Sequence, residues 1–478
     1  MFSGRTGSTH PRSTAIDRVQ MNSHISHNQR GEWEDFLLGE VCTKIGSGAT
    51  PKGGKKNYLQ QGPFALIRSQ NVYNNGFVHD GLAFINVDQA NNLKNVEVMP
   101  RDVLLNITGH SVARVCQVEP EVLPARVNQH VAIVRPDPDK LDPRFLRYYL
   151  VSPQIQRMLL SWADSGSTRK ALTKKMIGSI EVSAPTNVDE QRAIAHILGT
   201  LDAKIELNRR MNQTLEEMAR ALFKSWFVDF DPVRAKIDGR WRRGHALPGM
   251  PADLYDLFPD RLVPSELGEI PEGWEVKALD KIANFRNGLA LQKFRPGNSD
   301  DRLPVVKIAQ LRSGQADSGE WARESIDPSC ILEDGDIVFS WSGSLLVKVW
   351  CGGPAALNQH LFKVTSSQYP KWFYLHCTLS HLDEFRSIAA DKATTMGHIK
   401  RHHLADAQCI VPTQTLLSAL DATFSEMLFR CTSMSVESRK LSDLRDTLLP
   451  KLMCGELRTN RWNRNRELTE VQVIETKL

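Results

Sequence analysis

The chain is written twice, and that limits what it can fold into more than any other feature of it. Trp33 in GEWEDFLLGEV recurs as Trp274 in EGWEVKALDKI, 241 residues on. FALIRSQNV (64–72) returns as LPVVKIAQL (303–311) at an offset of 239, with Arg68 over Lys307. RDVLLNITG (101–109) returns as GDIVFSWSG (335–343) at 234, and NQHVAIV (128–134) as NQHLFKV (358–364) at 230. STRKALTKKMIGSIEVSAP (167–185) returns as TTMGHIKRHHLADAQCIVP (394–412) at 227. The order is constant and the offset only falls, as it does when the second copy has lost loop residues. Any architecture for these 478 residues must be buildable twice.

Each copy has two parts. The first mixes short apolar or alternating runs with Gly, Pro and Asn punctuation and carries one helical pattern, at Pro143–Leu160 and again at Pro370–Ala389. This predicts a compact α+β head. The second part is a long helix. After the Pro185–Asn187 break, Ile194, Leu198, Leu201, Ile205, Leu215, Ala219, Leu222 and Trp226 form one stripe, interrupted by Asn208 and Asn212. After Pro412–Thr413, Leu417, Leu420, Phe424, Met427, Cys431, Met434, Leu441, Leu448 and Leu452 repeat the spacing, with Ser438 and Arg445 as interruptions. Two such seams in one chain predict an antiparallel coiled coil between the two heads. The expected layout is a disordered extension over 1–30, heads over 31–186 and 272–412, helices over 187–230 and 413–455, a linker over 231–271 that partly packs on the helices, and a tail over 456–478.

The search for reaction chemistry returns nothing. GSGATPKGGKKNY (46–58) has the look of a phosphate-cradling P-loop, but Gly54 follows Gly53 where that motif needs Lys. Asp202-Ala-Lys204 has a nuclease-like spacing but lies in the helical stripe, as a solvated face. His398, Arg401, His402 and His403 lack metal-ligand spacing and read as a surface cluster. The eight cysteines are scattered with no C-x-x-C, which points to reduced, intracellular thiols. No apolar run is long enough to span a membrane. Two similar heads on a helical spacer, without chemistry, describe a two-headed binding module. A net charge of +5 permits a polyanionic partner. In head one the candidate nucleic-acid contacts are Lys52, Lys55, Lys56, Asn57 and Tyr58, then Arg68, Ser69, Gln70 and Asn71. Head two offers Arg286, Asn287, Lys293 and Arg295, then Lys307, Gln310 and Arg312. Lys and Arg suit phosphates and guanine edges, and Asn and Gln suit adenine edges. Asn128, Gln129, His130 and their copies 358–360 read as structural, an amide at a strand end satisfying loop backbone. The competing reading is an adaptor that bridges two proteins.

The glycine–lysine loop with GPFALIRSQNV, PEGWEVKALDKI, the paired NQH strands, EQRAIAHILGTLDAKIELNRRMNQTLEEMARALFKSWF and the closing LRDTLLPKLMCGEL resemble the specificity subunit of a type I restriction–modification system. The resemblance covers residues 31 to about 457. It implies two target-recognition domains, each reading one half of a split double-stranded DNA target, and paired helices that set the spacer. It also implies a cytoplasmic complex with two modification (methyltransferase) subunits and two restriction subunits. S-adenosylmethionine, ATP and Mg²⁺ would then belong to those partners, with no catalytic residue, cofactor or metal in this chain. Trp226, Phe227, Phe230, Leu449 and Leu452, at the helix ends, are the expected docking surface for the modification subunits.

Overall fold

The computed structural model describes residues 33–458, apart from 52, 165–169, 248, 298–300, 318 and 392–396. The expected extension over 1–30, most of the tail and the candidate Lys52 lie outside the described residues. The chain divides into two compact units, Met1–Gly199 with Asp446–Leu478, and Thr200–Arg445.

In the first unit, one four-stranded sheet runs Ala83–Ile85, Phe64–Ile67, Ala125–Val127, Glu97–Val98. A second runs Cys42–Ser47, Val131–Pro136, Val103–Asn106, Val115–Gln117. Phe64–Ile67 and Ala125–Val127 are parallel, and the other pairs are antiparallel. The second unit repeats both sheets strand for strand. Trp321–Arg323, Arg302–Val306, Ala355–Leu357 and Ile331–Leu332 form one. Asn284–Asn287, Leu361–Thr365, Ile337–Ser340 and Leu346–Val349 form the other. Its parallel pair, Arg302–Val306 with Ala355–Leu357, is again the only one among the described strands of that unit. Each head is closed by a strand pair joining its start to its end, Trp33–Leu37 with Glu181–Pro185 and Glu275–Ala278 with Gln408–Val411.

VLLN (103–106) and IVFS (337–340) read as unbroken apolar runs because both faces are covered. Side chains alternate across a strand. Val103 and Leu105 enter one core and Leu104 the other. Ile337 and Phe339 divide from Val338 in the same way. The single helical pattern read in each head is two helices. Pro143–Val151 and Pro153–Asp164 break at Ser152, where the residue before a proline leaves the helical region. Lys371–Ser380 and Leu382–Asp391 break at His381.

The two long helices are Val188–Phe227 and Gln414–Met453, 40 residues each and so about 60 Å long. Asn187 Oδ1 accepts from the Asp189 amide at 2.9 Å and opens the first. Within the second unit the helices pair antiparallel. Asp202 meets Arg445 at 2.9 Å, Asn212 donates to Ser435 Oγ at 2.8 Å, and Trp226 lies edge-on to Phe424 with centroids 5.7 Å apart. The residues read as interruptions are a polar layer. Asn208, fully buried, donates to Glu437 at 2.8 Å and Ser438 at 3.3 Å. Asp202 is half-buried and pairs with Arg445, while Lys204 stands on the exposed face as read and lies 3.4 Å from Glu437.

The expected docking residues are core residues. Trp226, Phe227, Phe230, Leu449 and Leu452 are only 2–6% exposed. Phe227 packs on Trp274 and Trp372, each 5.9 Å away, and Phe230 lies edge-on to Trp274. Leu449 and Leu452 share the first unit's core with Ile194 and Leu198. An apolar cluster at a helix end is covered here by the chain's own heads. Gly455, just past the second helix, adopts φ +74°, and a side chain added there would meet the Trp33 indole at 3.1 Å. The segment read as a linker holds a helix at Asp231–Ile237, buried Trp241 and Phe258, and a hairpin at Leu262–Ser265 and Gly268–Pro271. The expected packing on the helices is present, with Phe258 edge-on to Trp226 at 6.4 Å, and the Pro, Gly and Arg content hid only the helix and hairpin.

Candidate nucleic-acid interface

Three loops meet at one edge of each head. In head one the parallel strands Phe64–Ile67 and Ala125–Val127 end together, and the Asn128 amide donates to the Ile67 carbonyl at 3.1 Å. The turns at 68–71 and 128–130 therefore leave the sheet side by side. The Gly48 amide donates to the Asn128 carbonyl at 3.1 Å, which brings in the glycine–lysine loop. That approach requires glycine, since a Cβ at Gly48 would overlap the Val127 carbonyl. Head two builds the same crossing. Asn358 donates to Val306 at 3.2 Å, Leu289 donates to Leu357 at 2.9 Å, and a Cβ at Gly288 would overlap the Leu357 and Asn358 carbonyls.

One hydrogen-bond network underlies both crossings. Asn128 is buried and its Oδ1 accepts from the His130 amide at 3.0 Å, and Asn358 Oδ1 accepts from the His360 amide at 3.3 Å. His130 Nδ1 lies 2.6 Å from Thr108 Oγ1, and His360 Nδ1 lies 3.2 Å from Ser342 Oγ. On the far side of each ring, Gln129 Nε2 is 2.9 Å from His130 Nε2, and Gln359 Nε2 is 3.4 Å from His360 Nε2. The paired NQH segments thus fix the turn from which the loops emerge.

The loop residues differ between heads. In head one Lys55, Lys56 and Asn57 are exposed on a short 3-10 turn, and Arg68 lies over the Tyr58 ring at 5.4 Å, so the structure brings those two loops together. Arg68 and Gln70 also donate to the Gly81 carbonyl, Gln70 at 3.1 Å. Ser69 is half-buried, its carbonyl accepting from Asn106 at 2.8 Å. Asn71 is not a surface residue. It is fully buried, with its amide accepting from the Arg68 N–H at 3.1 Å and donating to Val78 at 2.9 Å. In head two Lys293, Arg295 and Arg312 are exposed. Lys307 pairs with Glu320, and Gln310 donates to Asp317 at 3.3 Å. Arg286 pairs with Asp327 at 2.6 Å. The Ser329 hydroxyl and amide, followed by Arg286, hold the Asp327 carboxyl below its ordinary range. Head one therefore presents its basic loop open, while head two holds two of its cations, Arg286 and Lys307, against carboxylates.

A further segment lies beside the network, which the sequence marked only as a repeat and, in head two, as a surface cluster. Leu172 donates to the Ile107 carbonyl at 2.8 Å and Ile399 to the Trp341 carbonyl at 3.0 Å, so residues 170–175 and 397–402 run along the Thr108 and Ser342 turns. The clue was present in the repeat itself, where KALTKK lies over GHIKRH. His403, expected at the surface, is buried and accepts from the Lys400 amide at 3.0 Å. Among the described residues no group of three or more His, Cys, Asp or Glu side chains could hold a metal ion, and no helix is long and apolar enough to cross a membrane.

A family model described as "Type I restriction modification DNA specificity domain" matches residues 30–217. The chain is 24% identical over 467 residues to the type I restriction enzyme HindI specificity subunit of Haemophilus influenzae, covering 89% of this chain and all of that protein. It is also 24% identical over 437 residues to the MjaIX specificity subunit of Methanocaldococcus jannaschii, covering 89% and 94%. The crystal structure of a type I restriction–modification S subunit from M. genitalium superposes with a TM-score of 0.54 at 13% identity, over 90% of this chain and 98% of that one, and shares the fold. The chain is similar, over most of its length, to specificity subunits of type I restriction–modification systems.

Proposed function

We propose that each head reads one half of a bipartite double-stranded DNA target, and that the paired helices set the number of unread base pairs between the halves. The observation that carries this is the interface built twice on one frame with different loop residues. Two like sites with unlike surfaces suit a target of two unlike halves. Lys55 and Lys56, and Lys293 and Arg295 in head two, are exposed and of a chemistry that suits phosphate or base contact, with Tyr58 and Arg68 beside the first pair. The chain serves as the non-catalytic, sequence-selecting part of a larger complex. S-adenosylmethionine, ATP and Mg²⁺ act in two modification and two restriction subunits. The helices dock the modification subunits, and the side chains suited to this are the exposed Leu207, Met211, Met218 and Phe429.

The test is an exchange of heads. Residues 31–185 are replaced by the matching head of a relative, and modified bases are mapped in cells that carry the partner subunits. One half of the modified motif changes and the other, with its spacer, is retained. Change in both halves, or in neither, would refute the two-reader scheme.

A further inference from the structure

We infer that the segments 170–175 and 397–402 are a second DNA contact, one that grips the sugar–phosphate backbone in both heads alike and reads no sequence. The inference rests on the DNA reading above and adds to it the residues that supply sequence-neutral affinity.

Two heads that read different halves must diverge where they touch bases and can stay alike where they touch what all DNA shares. The loops at 48–58 and 68–71 have diverged from their copies in head two. The 170–175 segment has kept its character. Lys170, Lys174 and Lys175 are exposed in head one, and Lys400, Arg401 and His402 are exposed in head two. Lys174 and Lys175 lie over Arg401 and His402 in the repeat. Both segments are also pinned alike. Gly109 donates to the Lys170 carbonyl at 3.1 Å and Gly343 to the Gly397 carbonyl at 2.8 Å, on the same turns whose hydroxyls bond His130 and His360. The cations are thus held next to the reading loops by the part of the head that does not vary.

A second observation is independent of the charge pattern. Each unit has an open cavity at the matching place, between the short helix that follows this segment and the strand paired with the one that leaves the NQH turn. One is about 440 Å³, lined by Thr43, Lys44, Ser47, Asn95 and Lys174 among others. The other is about 570 Å³, lined by Lys281, Asn284, Ser366, Gln368 and Arg401, with Asp280 also on its wall. Hydroxyls, amides and two basic side chains around a cavity suit phosphate oxygens, which accept hydrogen bonds only. Lys174 and Arg401, at matching positions, each belong to both the exposed rim and the cavity wall.

The test uses the full chain in complex with its modification subunits and two short duplexes, one bearing the modified motif mapped in cells and one of scrambled sequence. Lys174→Ala/Lys175→Ala and Lys400→Ala/Arg401→Ala each weaken binding to both duplexes by the same factor, on the order of tenfold, and lower the slope of log affinity against log salt by about 2. The motif modified in cells is unchanged. Lys174→Arg/Lys175→Arg keeps binding, and Arg240→Ala/Arg242→Ala, removing equal charge outside the heads, leaves it near wild type. Thermal unfolding confirms that each variant is folded. Loss on the motif duplex alone, or no loss on either, overturns the inference while wild-type binding stands. Wild-type complex without salt-dependent binding to either duplex would overturn the DNA reading and this inference together.

Discussion

Gly48 and Gly288 occupy a backbone position closed to every other residue type. The strand that crosses each of them is the strand that carries the NQH turn, and its carbonyls stand where a Cβ would go. Gly46, two residues earlier, has nothing within 4 Å of its added Cβ. Gly48→Ala should therefore cost about 1–3 kcal/mol or more through overpacking, and Gly46→Ala should stay within about 0.5 kcal/mol. Denaturant unfolding of the two variants reads the contrast, and equal stability would show that the crossing relaxes freely. Sequence made Gly48 visible within the glycine–lysine loop but gave no reason for it, since the reason lies in a strand far along the chain. Asn71 failed in the same way. An amide in a basic loop reads as a base contact, yet its neighbours Val78 and Arg68 consume it inside the head.

The paired helices hold their register through polar side chains as well as through the apolar seam. Where the stripe breaks, Asn208 bonds Glu437 and Ser438, and Asn212 bonds Ser435. A buried amide with partners on one level of the opposite helix penalises any slipped pairing, which would strand it without them. Asn208→Ala leaves Glu437 and Ser438 facing a gap and should destabilise the pair by about 1–3 kcal/mol. Gln213→Ala, on the exposed side, should change stability by no more than about 0.5 kcal/mol. Equal effects in chemical denaturation would mean the layer carries no structural weight. The helices were legible because a three-and-four spacing sustained over many turns keeps its apolar residues on one face only if the chain is helical. The partners of the interruptions were not legible, because pairing Asn208 with Ser438 needs the register of two distant segments. The strands were legible as apolar runs, but nothing local in FALI or ARV says that those two run parallel.

The first unit is built from both ends of the chain. Leu449, Leu452 and Met453 lie in its core, and Gly455 lies against Trp33. A chain ending at Arg445 should lose that unit and keep the other. Each buried Leu is worth about 2–5 kcal/mol on truncation to Ala, and removing three such side chains approaches the roughly 5–15 kcal/mol that holds a domain. Limited proteolysis should cut quickly within 33–199 and spare 200–445. Equal protection of both would show that the C-terminal residues are dispensable to the fold. The same packing explains why the docking surface read from sequence was misplaced. Apolar helix ends say that something covers them, and only the three-dimensional structure says that the cover is the chain's own heads.

Because Trp33 and Gly455 touch, the described polypeptide is in effect a ring with a nick in it, and the place of the nick carries little of the structure's information. A gene whose reading frame opened at the exposed turn over 242–244 and passed from residue 455 directly to residue 33 would specify the same strands, seams and interfaces in a different order. The break in the chain can therefore move around that circle with the strand pairing of each head and the helix pairing left in place.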